Sequence, residues 1–295
     1  MDLEHCRGGA LLEDEKRYYE SFKGLRGFPE VYWSGEKDDF NVMVFELLGP
    51  SLDDLFAHCD CHFCLKITLM LAAQLIARLE KVHSKGLLHR DVKPGNFLFG
   101  SSKNGNTVYI IDFGISIDYV ARQADKWDGS PPMKSRVVDT TRFASIRAHA
   151  GQTQSRKDNL ESLVYLLIYF LRGTLPWQGL KAGNVEDKDR LVMEKKTTTS
   201  VEKLCAGLPQ EFAEYMRMVN KGRTHELRLD HGLNRLLEEP ILDKVNGEGT
   251  LLFATGISKS ELHPRDGFAA HFNVHSTGVE MSSSHPLLFI LVFAR

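Results

Sequence analysis

The chain has 295 residues, of which 42% are hydrophobic and 26% charged, a composition typical of a soluble protein with one large domain or two smaller ones. Its formal net charge of −2 gives no bulk attraction to nucleic acid or to an anionic membrane. The uncharged apolar run at 286–293 is much shorter than the ~20 residues of a membrane-spanning helix. Five cysteines, with no secretory signal before them, indicate reduced thiols inside a cell.

Hydrophobic periodicity predicts several helices along the chain. The first is an amphipathic helix at 11–23 that ends at Gly24 and Gly27. SLDDLF (51–56) is predicted to start a helix, with Ser51 as its N-cap and two aspartates in its first turn. Longer helices are predicted at 65–83, at 159–173 with Gly173 as its end, and at 208–222.

Strands are predicted mainly in the first half of the chain. Residues 31–49 contain two strand-like runs around a polar turn, and shorter runs occur within 87–100 and 107–116. Residues 118–140 are polar and are predicted to form a mobile loop, and the periodicity fades after about residue 240. Strands followed by helices indicate an α+β fold.

The stretch LLHRDVKPGNFLFG (87–100) concentrates polar groups between two apolar runs. Together with IIDFG (110–114) it gives an ordered set, Asp91, Asn96 and Asp112, that is typical of phosphoryl transfer. Asp91 would accept or orient the proton of a substrate hydroxyl, and Asn96 and Asp112 would hold Mg²⁺ against the phosphates of ATP. Lys93 can reach the transferring phosphate, and lysine at this position favours a serine/threonine kinase over a tyrosine kinase. Each motif alone has an ordinary structural explanation, such as a turn or a buried ion pair, but their joint order and spacing predict a kinase.

Several stretches closely resemble the casein kinase 1 family of serine/threonine protein kinases. They are ELLGPSLDDLF (46–56), HRDVKPGNFLFG (89–100), RFASIRAH (142–149), QSRKDNLESLVY (154–165) and LPWQGLKA (175–182). The resemblance extends from about residue 11 to about residue 236. It implies an α+β, protein-kinase-like fold with a complete, mainly helical C-lobe and a partial N-lobe sheet. The implied domains are a partial N-lobe at 1–48, the C-lobe at 49–236 and a divergent tail at 237–295.

The resemblance also implies roles for residues outside the polar cluster. Phe45 would be the gatekeeper, and the backbone of Glu46 and Leu48 would contact adenine. Glu15 lies where the family has the helix glutamate that pairs with the ATP-orienting lysine, and Arg142 matches a residue that binds phosphate. The implied partners are protein substrates, with acidic or phospho-primed ones as candidates, and neither nucleic acid nor a membrane. The family is found in the cytoplasm and the nucleus.

The chain departs from the family at several places. Asp2 falls where the strand lysine should be and no Gly-rich strand pair precedes it, so Glu15 is predicted to lack a partner and to be solvated. The upper sheet would lack its first three strands and keep an open edge. Asn159 replaces the aspartate that anchors the catalytic loop, while Asp158 lies one residue too early. NVEDK (184–188) replaces a basic stretch that would share phosphate binding with Arg142.

Two functions therefore stay open at this point. One is an active casein kinase 1-type enzyme that uses ATP and Mg²⁺. The other is a catalytically inactive, truncated kinase or pseudokinase that acts as a protein-binding module. A weaker alternative site is zinc at AHCDCHFCL (57–65), which lacks a second ligand pair downstream of Cys59, Cys61 and Cys64.

Overall fold

The computed structural model describes residues 3–37, 40–119, 138–221 and 288–294 of the chain. Its α-helices are α1 (Leu3–Ser21), α2 (Leu52–His58), α3 (Leu65–Ser84), α4 (Val138–Phe143), α5 (Ile146–His149), α6 (Arg156–Arg172), α7 (Val185–Thr198), α8 (Val201–Leu204) and α9 (Gln210–Asn220). Its strands are β1 (Val31–Lys37), β2 (Phe40–Glu46), β3 (Leu48–Ser51), β4 (Leu87–Leu88), β5 (Phe97–Gly100), β6 (Val108–Ile110), β7 (Ile117–Asp118) and β8 (Leu288–Ala294). The mixture confirms an α+β fold.

The strands pair in small antiparallel sheets. Their orders are β1-β2-β8, β3-β5-β6 and β4-β7. The first two strands are the pair predicted around a polar turn, and the second sheet joins the runs predicted within 87–100 and 107–116.

The last described segment of the chain lies along the first sheet. β8 pairs with β2 over its whole length, from Glu46 opposite Leu288 to Phe40 opposite Ala294. The prediction of an open edge is therefore wrong at β2. The sequence LFILVFA is rich in β-branched and aromatic residues, and such a segment readily pairs with the free N–H and C=O groups of an edge strand. Of the predicted tail, residues 237–287 lie outside the described part of the chain.

Helix α6 lies at the centre of the core and packs against α3 and α9. Every residue from Asp158 to Phe170 is buried, as its apolar sequence predicts. The helix begins with a capping box between Ser155 and Asp158. It ends at Gly173, whose φ of 75° is left-handed and whose N–H bonds to Tyr169. The predicted helix end at this glycine is confirmed.

The predicted start of α2 is also confirmed. The Ser51 hydroxyl accepts a hydrogen bond from the backbone N–H of Asp54 at 3.1 Å, and the Asp54 carboxylate accepts one from the Ser51 N–H at 2.9 Å. By contrast, α1 begins at Leu3 rather than at residue 11. Helix boundaries are the features that local sequence specifies least.

Helices α4 and α7 differ from the sequence predictions. Residues 138–140, assigned to a mobile loop, belong to α4, while residues 120–137 of that predicted loop lie outside the described part of the chain. α7 was not predicted because it buries only Val192 and Lys196. Two buried positions give no apolar stripe for a periodicity argument to detect.

Candidate active site

The polar loop of residues 89–96 lies between β4 and β5 and is anchored to the central helix. The amide oxygen of Asn159, on α6, accepts a hydrogen bond from the backbone N–H of His89 at 3.0 Å. It accepts a second from His83 Nε2 at 3.2 Å, so this ring nitrogen carries the proton. Asn159 thus anchors the loop backbone through a neutral amide, at the position where the family resemblance implies an aspartate. All three residues are buried.

Asp158, the neighbouring carboxylate, has a different task. Its Oδ1 accepts a hydrogen bond from the Ser145 hydroxyl at 2.6 Å, and its Oδ2 accepts one from the Ser155 N–H at 2.7 Å. Successive helical residues point about 100° apart, which explains why Asp158 fixes the start of α6 while Asn159 reaches the polar loop.

Asp91, Lys93 and Asn96 form one hydrogen-bonded unit within the polar loop. Lys93 Nζ donates to Asp91 Oδ2 at 2.6 Å, and Asn96 Nδ2 donates to the same oxygen at 3.0 Å. The Asn96 amide also donates to the Asp91 backbone carbonyl at 2.9 Å. Asp91 is 6% exposed and its side-chain contacts converge on Oδ2, so its carboxylate is held in a fixed orientation.

Asp112 lies close enough to Asp91 for their charges to interact. Removal from solvent raises the pKa of Asp112 above its usual range, and the negative charge of Asp91 adds to the increase. Asn96 Oδ1 is fully buried and has no hydrogen-bond partner among the described residues. Amide and carboxylate oxygens are the ligands that a hard divalent cation prefers. A cation bound here would give the buried amide oxygen a partner and would offset the repulsion between the two carboxylates.

Glu15 is buried, at 2% exposed, so the prediction that it is solvated is wrong. Its Oε1 accepts a hydrogen bond from the Phe113 N–H at 3.0 Å. Burial raises the pKa of Glu15 to about 8, and the charge of Asp112 contributes. Within the described part of the chain, no lysine or arginine pairs with this carboxyl group. Glu15 therefore joins α1 to the segment that carries Asp112.

Tyr19, one helical turn after Glu15, is a site residue that the sequence reasoning missed. Its hydroxyl accepts a hydrogen bond from the Asp112 N–H at 2.9 Å. Its ring lies edge-on to Phe113 and to Phe45, with centroids 5.0 and 4.8 Å apart. The spacing from Glu15 to Tyr19 places both on one face of α1, and this i, i+4 relation is the signal that could have found it.

A family model described as the protein kinase domain matches residues 24–222. The match covers more than half of the 295 residues. The chain belongs to the protein kinase family. For this kinase domain, membership implies ATP with a divalent metal ion as cofactors and proteins as substrates.

The predicted adenine-binding region lies where β2 ends and β3 begins. Phe45 and Glu46 are the last two residues of β2, and Leu48 is the first residue of β3. Phe45 is only 3% exposed, and its ring contacts that of Tyr19. Glu46 is half-buried, and its Oε1 accepts a hydrogen bond from the Glu30 N–H at 3.2 Å. Leu48 packs in a small apolar cluster with Leu98 and Ile111. The aromatic contact through Tyr19 links Phe45 to the Asp112 segment, and an adenine contact at Glu46 and Leu48 stays a prediction.

Arg142, the predicted phosphate-binding residue, lies at the end of α4 against aromatic rings. Its guanidinium carbon is 5.4 Å from the ring centroid of Tyr169 and 5.7 Å from that of Phe143. Its backbone carbonyl accepts a hydrogen bond from Trp177 Nε1 at 2.8 Å. The arginine is thus ordered by cation–π contacts, and phosphate binding stays a prediction.

The cysteines predicted as a weak alternative metal site lie in the turn between α2 and α3. Cys59 is half-buried, and Cys61 and Cys64 are exposed. Across the described ranges, no group of three histidine, cysteine or acidic side chains has the geometry to hold a metal ion. Likewise, none of the described helices is both long and apolar enough to cross a lipid bilayer.

Proposed function

We propose that this protein kinase is a serine/threonine kinase of the casein kinase 1 type, which transfers the γ-phosphate of ATP to a protein serine or threonine with the help of Mg²⁺. The observation that carries the proposal is the hydrogen-bonded unit of Asp91, Lys93 and Asn96, with the carboxylate of Asp112 near it. The lysine two residues after Asp91 and the motif RFASIRAH at 142–149 support the subclass.

Each residue of the unit has a task in this chemistry. Asp91, oriented through Oδ2, accepts or orients the proton of the substrate hydroxyl. Lys93 contributes a positive charge near the transferred group. Asn96 Oδ1 and the Asp112 carboxylate would hold Mg²⁺, which when bound neutralises charge on the phosphate oxygens. Phosphoryl transfer asks mainly for positioning and charge neutralisation, and these four groups supply both.

Transfer of phosphate to casein with Mg-ATP tests this proposal. Wild-type protein should label casein, and Asp91→Asn should reduce the rate at least ~100-fold because the base is lost. The amide is nearly isosteric and can keep its bond from Lys93, so the variant should remain folded. An Asp187→Asn variant, changed in an exposed ion pair on α7, is the matched control and should retain activity. Wild-type labelling no higher than that of Asp91→Asn would refute the proposal for this chain.

One observation favours the alternative, a catalytically inactive protein-binding module. Glu15 bonds to the Phe113 backbone, and no lysine pairs with it in the described part of the chain. The strand that lies beside β2, LFILVFA, contains no charged residue. Each ~1.4 kcal/mol of lost transition-state stabilisation costs about tenfold in rate, so a missing phosphate-binding lysine would be costly.

Thermal melting with and without Mg-ATP separates the two functions. The kinase function predicts that the nucleotide raises the melting temperature of the wild type, because a ligand that binds only the folded state stabilises it. The rise should be smaller in Asp112→Asn, which loses a metal ligand. A wild-type protein that melts cooperatively, shows no shift with Mg-ATP and transfers no phosphate would support the binding module.

A further inference from the structure

Lys196 is a buried lysine in a helix that is otherwise mostly solvated. It is 3% exposed, and Val192 is the other buried residue of α7. Lysine is almost never fully buried unless its charge is paired, because removing an ammonium group from water is costly. The surroundings of Lys196 therefore have to compensate that cost.

The compensation comes from two carbonyl groups and two aromatic rings. Lys196 Nζ donates hydrogen bonds to the backbone carbonyls of Thr141 and Ala144, both at 2.6 Å. The nitrogen also lies 5.3 Å from the ring centroid of Tyr165 and 5.2 Å from that of Trp177. Charge-assisted hydrogen bonds and cation–π contacts both strengthen when they are shielded from water.

The charge state of Lys196 is finely balanced. Burial lowers the pKa of Lys196 to about 7, and the negative charge of Glu161 opposes that decrease. Glu161 lies on α6, where its Oε1 accepts hydrogen bonds from the Ile146 N–H and from the Tyr165 hydroxyl, both at 2.8 Å. An ammonium group and a neutral amine can each donate hydrogen bonds to both carbonyls, so these contacts persist whether or not Lys196 is protonated.

The carbonyls that Lys196 binds belong to a stretch that several elements hold by its backbone. We call residues 141–146 the segment end. Trp177 Nε1 donates to the Arg142 carbonyl at 2.8 Å, and Glu161 accepts from the Ile146 N–H. Lys196 adds two further hydrogen bonds from α7, to the carbonyls of Thr141 and Ala144.

We propose that Lys196 is a positioning residue that fixes the end of the activation segment for binding of the protein substrate. The inference rests on the proposed kinase function. In protein kinases the stretch that follows Asp-Phe-Gly is the activation segment, and its arrangement controls activity. Residues 141–146 follow Asp112-Phe113-Gly114 and run from the last turn of α4 to the first residue of α5, so they are the end of that segment here. Lys196 acts on the backbone of this segment and does not take part in phosphate transfer.

Hydrogen exchange of Lys196→Met tests the positioning directly, without requiring catalysis. Methionine keeps the apolar stem but removes both hydrogen bonds, so backbone amides at 141–147 should exchange at least ~tenfold faster. Exchange in α3 and in the middle of α6 should stay within about twofold of wild type. Lys195→Met, the same change at the preceding and more exposed position, should leave 141–147 unchanged.

A second variant keeps the test decisive if Lys196→Met does not fold. Lys196→Gln keeps a polar group at the buried site, but its amide is on a shorter side chain and cannot reach both carbonyls as Nζ does. It should loosen the same amides to a smaller degree. Unchanged exchange at 141–147 in either folded variant would overturn the proposal. Equal loosening of the whole domain would also overturn it, because that result indicates a general packing role.

Steady-state kinetics then connect the position to substrate binding. Lys196→Met should raise the KM for casein about tenfold while the KM for ATP stays within about twofold. An equal rise of both constants, or a fall in kcat alone, would refute a role in substrate positioning. If the wild type transfers no phosphate, the proposed function fails, but the hydrogen-exchange result still decides whether Lys196 orders the segment end.

Discussion

Acid should destabilise the domain through His83, because the folded protein keeps the imidazole ring of this residue in its neutral form. His83 is 8% exposed, and burial lowers its pKa from 6.5 to about 4, although its bond to Asn159 opposes the shift. An unfolded chain binds the proton near pH 6.5, and the folded chain binds it only near pH 4. Stability from this group is therefore complete above pH 6.5 and falls as the pH drops towards 4. The difference between the two pKa values corresponds to about 3 kcal/mol.

Urea unfolding of His83→Gln at about pH 7 and about pH 4.5 measures this contribution. Glutamine can still donate a hydrogen bond to Asn159 but does not titrate. Between the two pH values, the free energy of unfolding should fall by roughly 2–3 kcal/mol more in the wild type than in His83→Gln. His58→Gln, at an exposed position in the last turn of α2, should behave like the wild type. The same acid loss in His83→Gln and in wild type would refute the reasoning.

Three further predictions concern stability and association. Glu15→Ala should lower the free energy of unfolding by about 1–3 kcal/mol because it leaves the buried Phe113 N–H unpaired. Glu15→Gln keeps an acceptor for this N–H and should lower the free energy of unfolding less. Equal losses for the two variants in urea unfolding would contradict this prediction. Gly173→Ala should lower the free energy of unfolding by at least about 1 kcal/mol in the same assay, because φ at Gly173 is 75° and a Cβ atom would lie 2.7 Å from the carbonyl oxygen of Cys61. An unchanged free energy of unfolding would exclude strain at this position. Deletion of residues 288–294 should expose the edge of β2 and promote self-association in sedimentation velocity, and an unchanged monomer would show that the edge does not need β8.

The features that the sequence predicted well depend on residues close together in the chain. Ser51 caps α2 through Asp54, three residues later, and Gly173 ends α6. Asp91, Lys93 and Asn96, which the sequence placed in one polar cluster, also lie within a few residues of one another, and the structure joins them by hydrogen bonds. In these cases the groups that interact are neighbours, and no distant part of the fold is needed to bring them together.

The features that the sequence missed depend on contacts between distant residues. Glu15 is buried because α1 packs against the segment that carries Phe113, 98 residues away. Lys196 lies in a polar helix whose sequence shows no core face, and its partners Thr141 and Ala144 lie 55 and 52 residues earlier in the chain. β8 meets β2 from the far end of the chain.

By itself, the sequence determined the helices with strong periodicity, their caps and the residue types of the polar loop, because each of these follows from local geometry and local chemistry. Tertiary structure alone decided which polar groups leave the solvent and which partners they meet there. Asn159 illustrates the division, since the sequence identified it only as a replacement for an aspartate, while its place on α6 lets the neutral amide accept hydrogen bonds from both His89 and His83. The energy of a buried polar group depends on the partners that the fold supplies, and local sequence does not specify them.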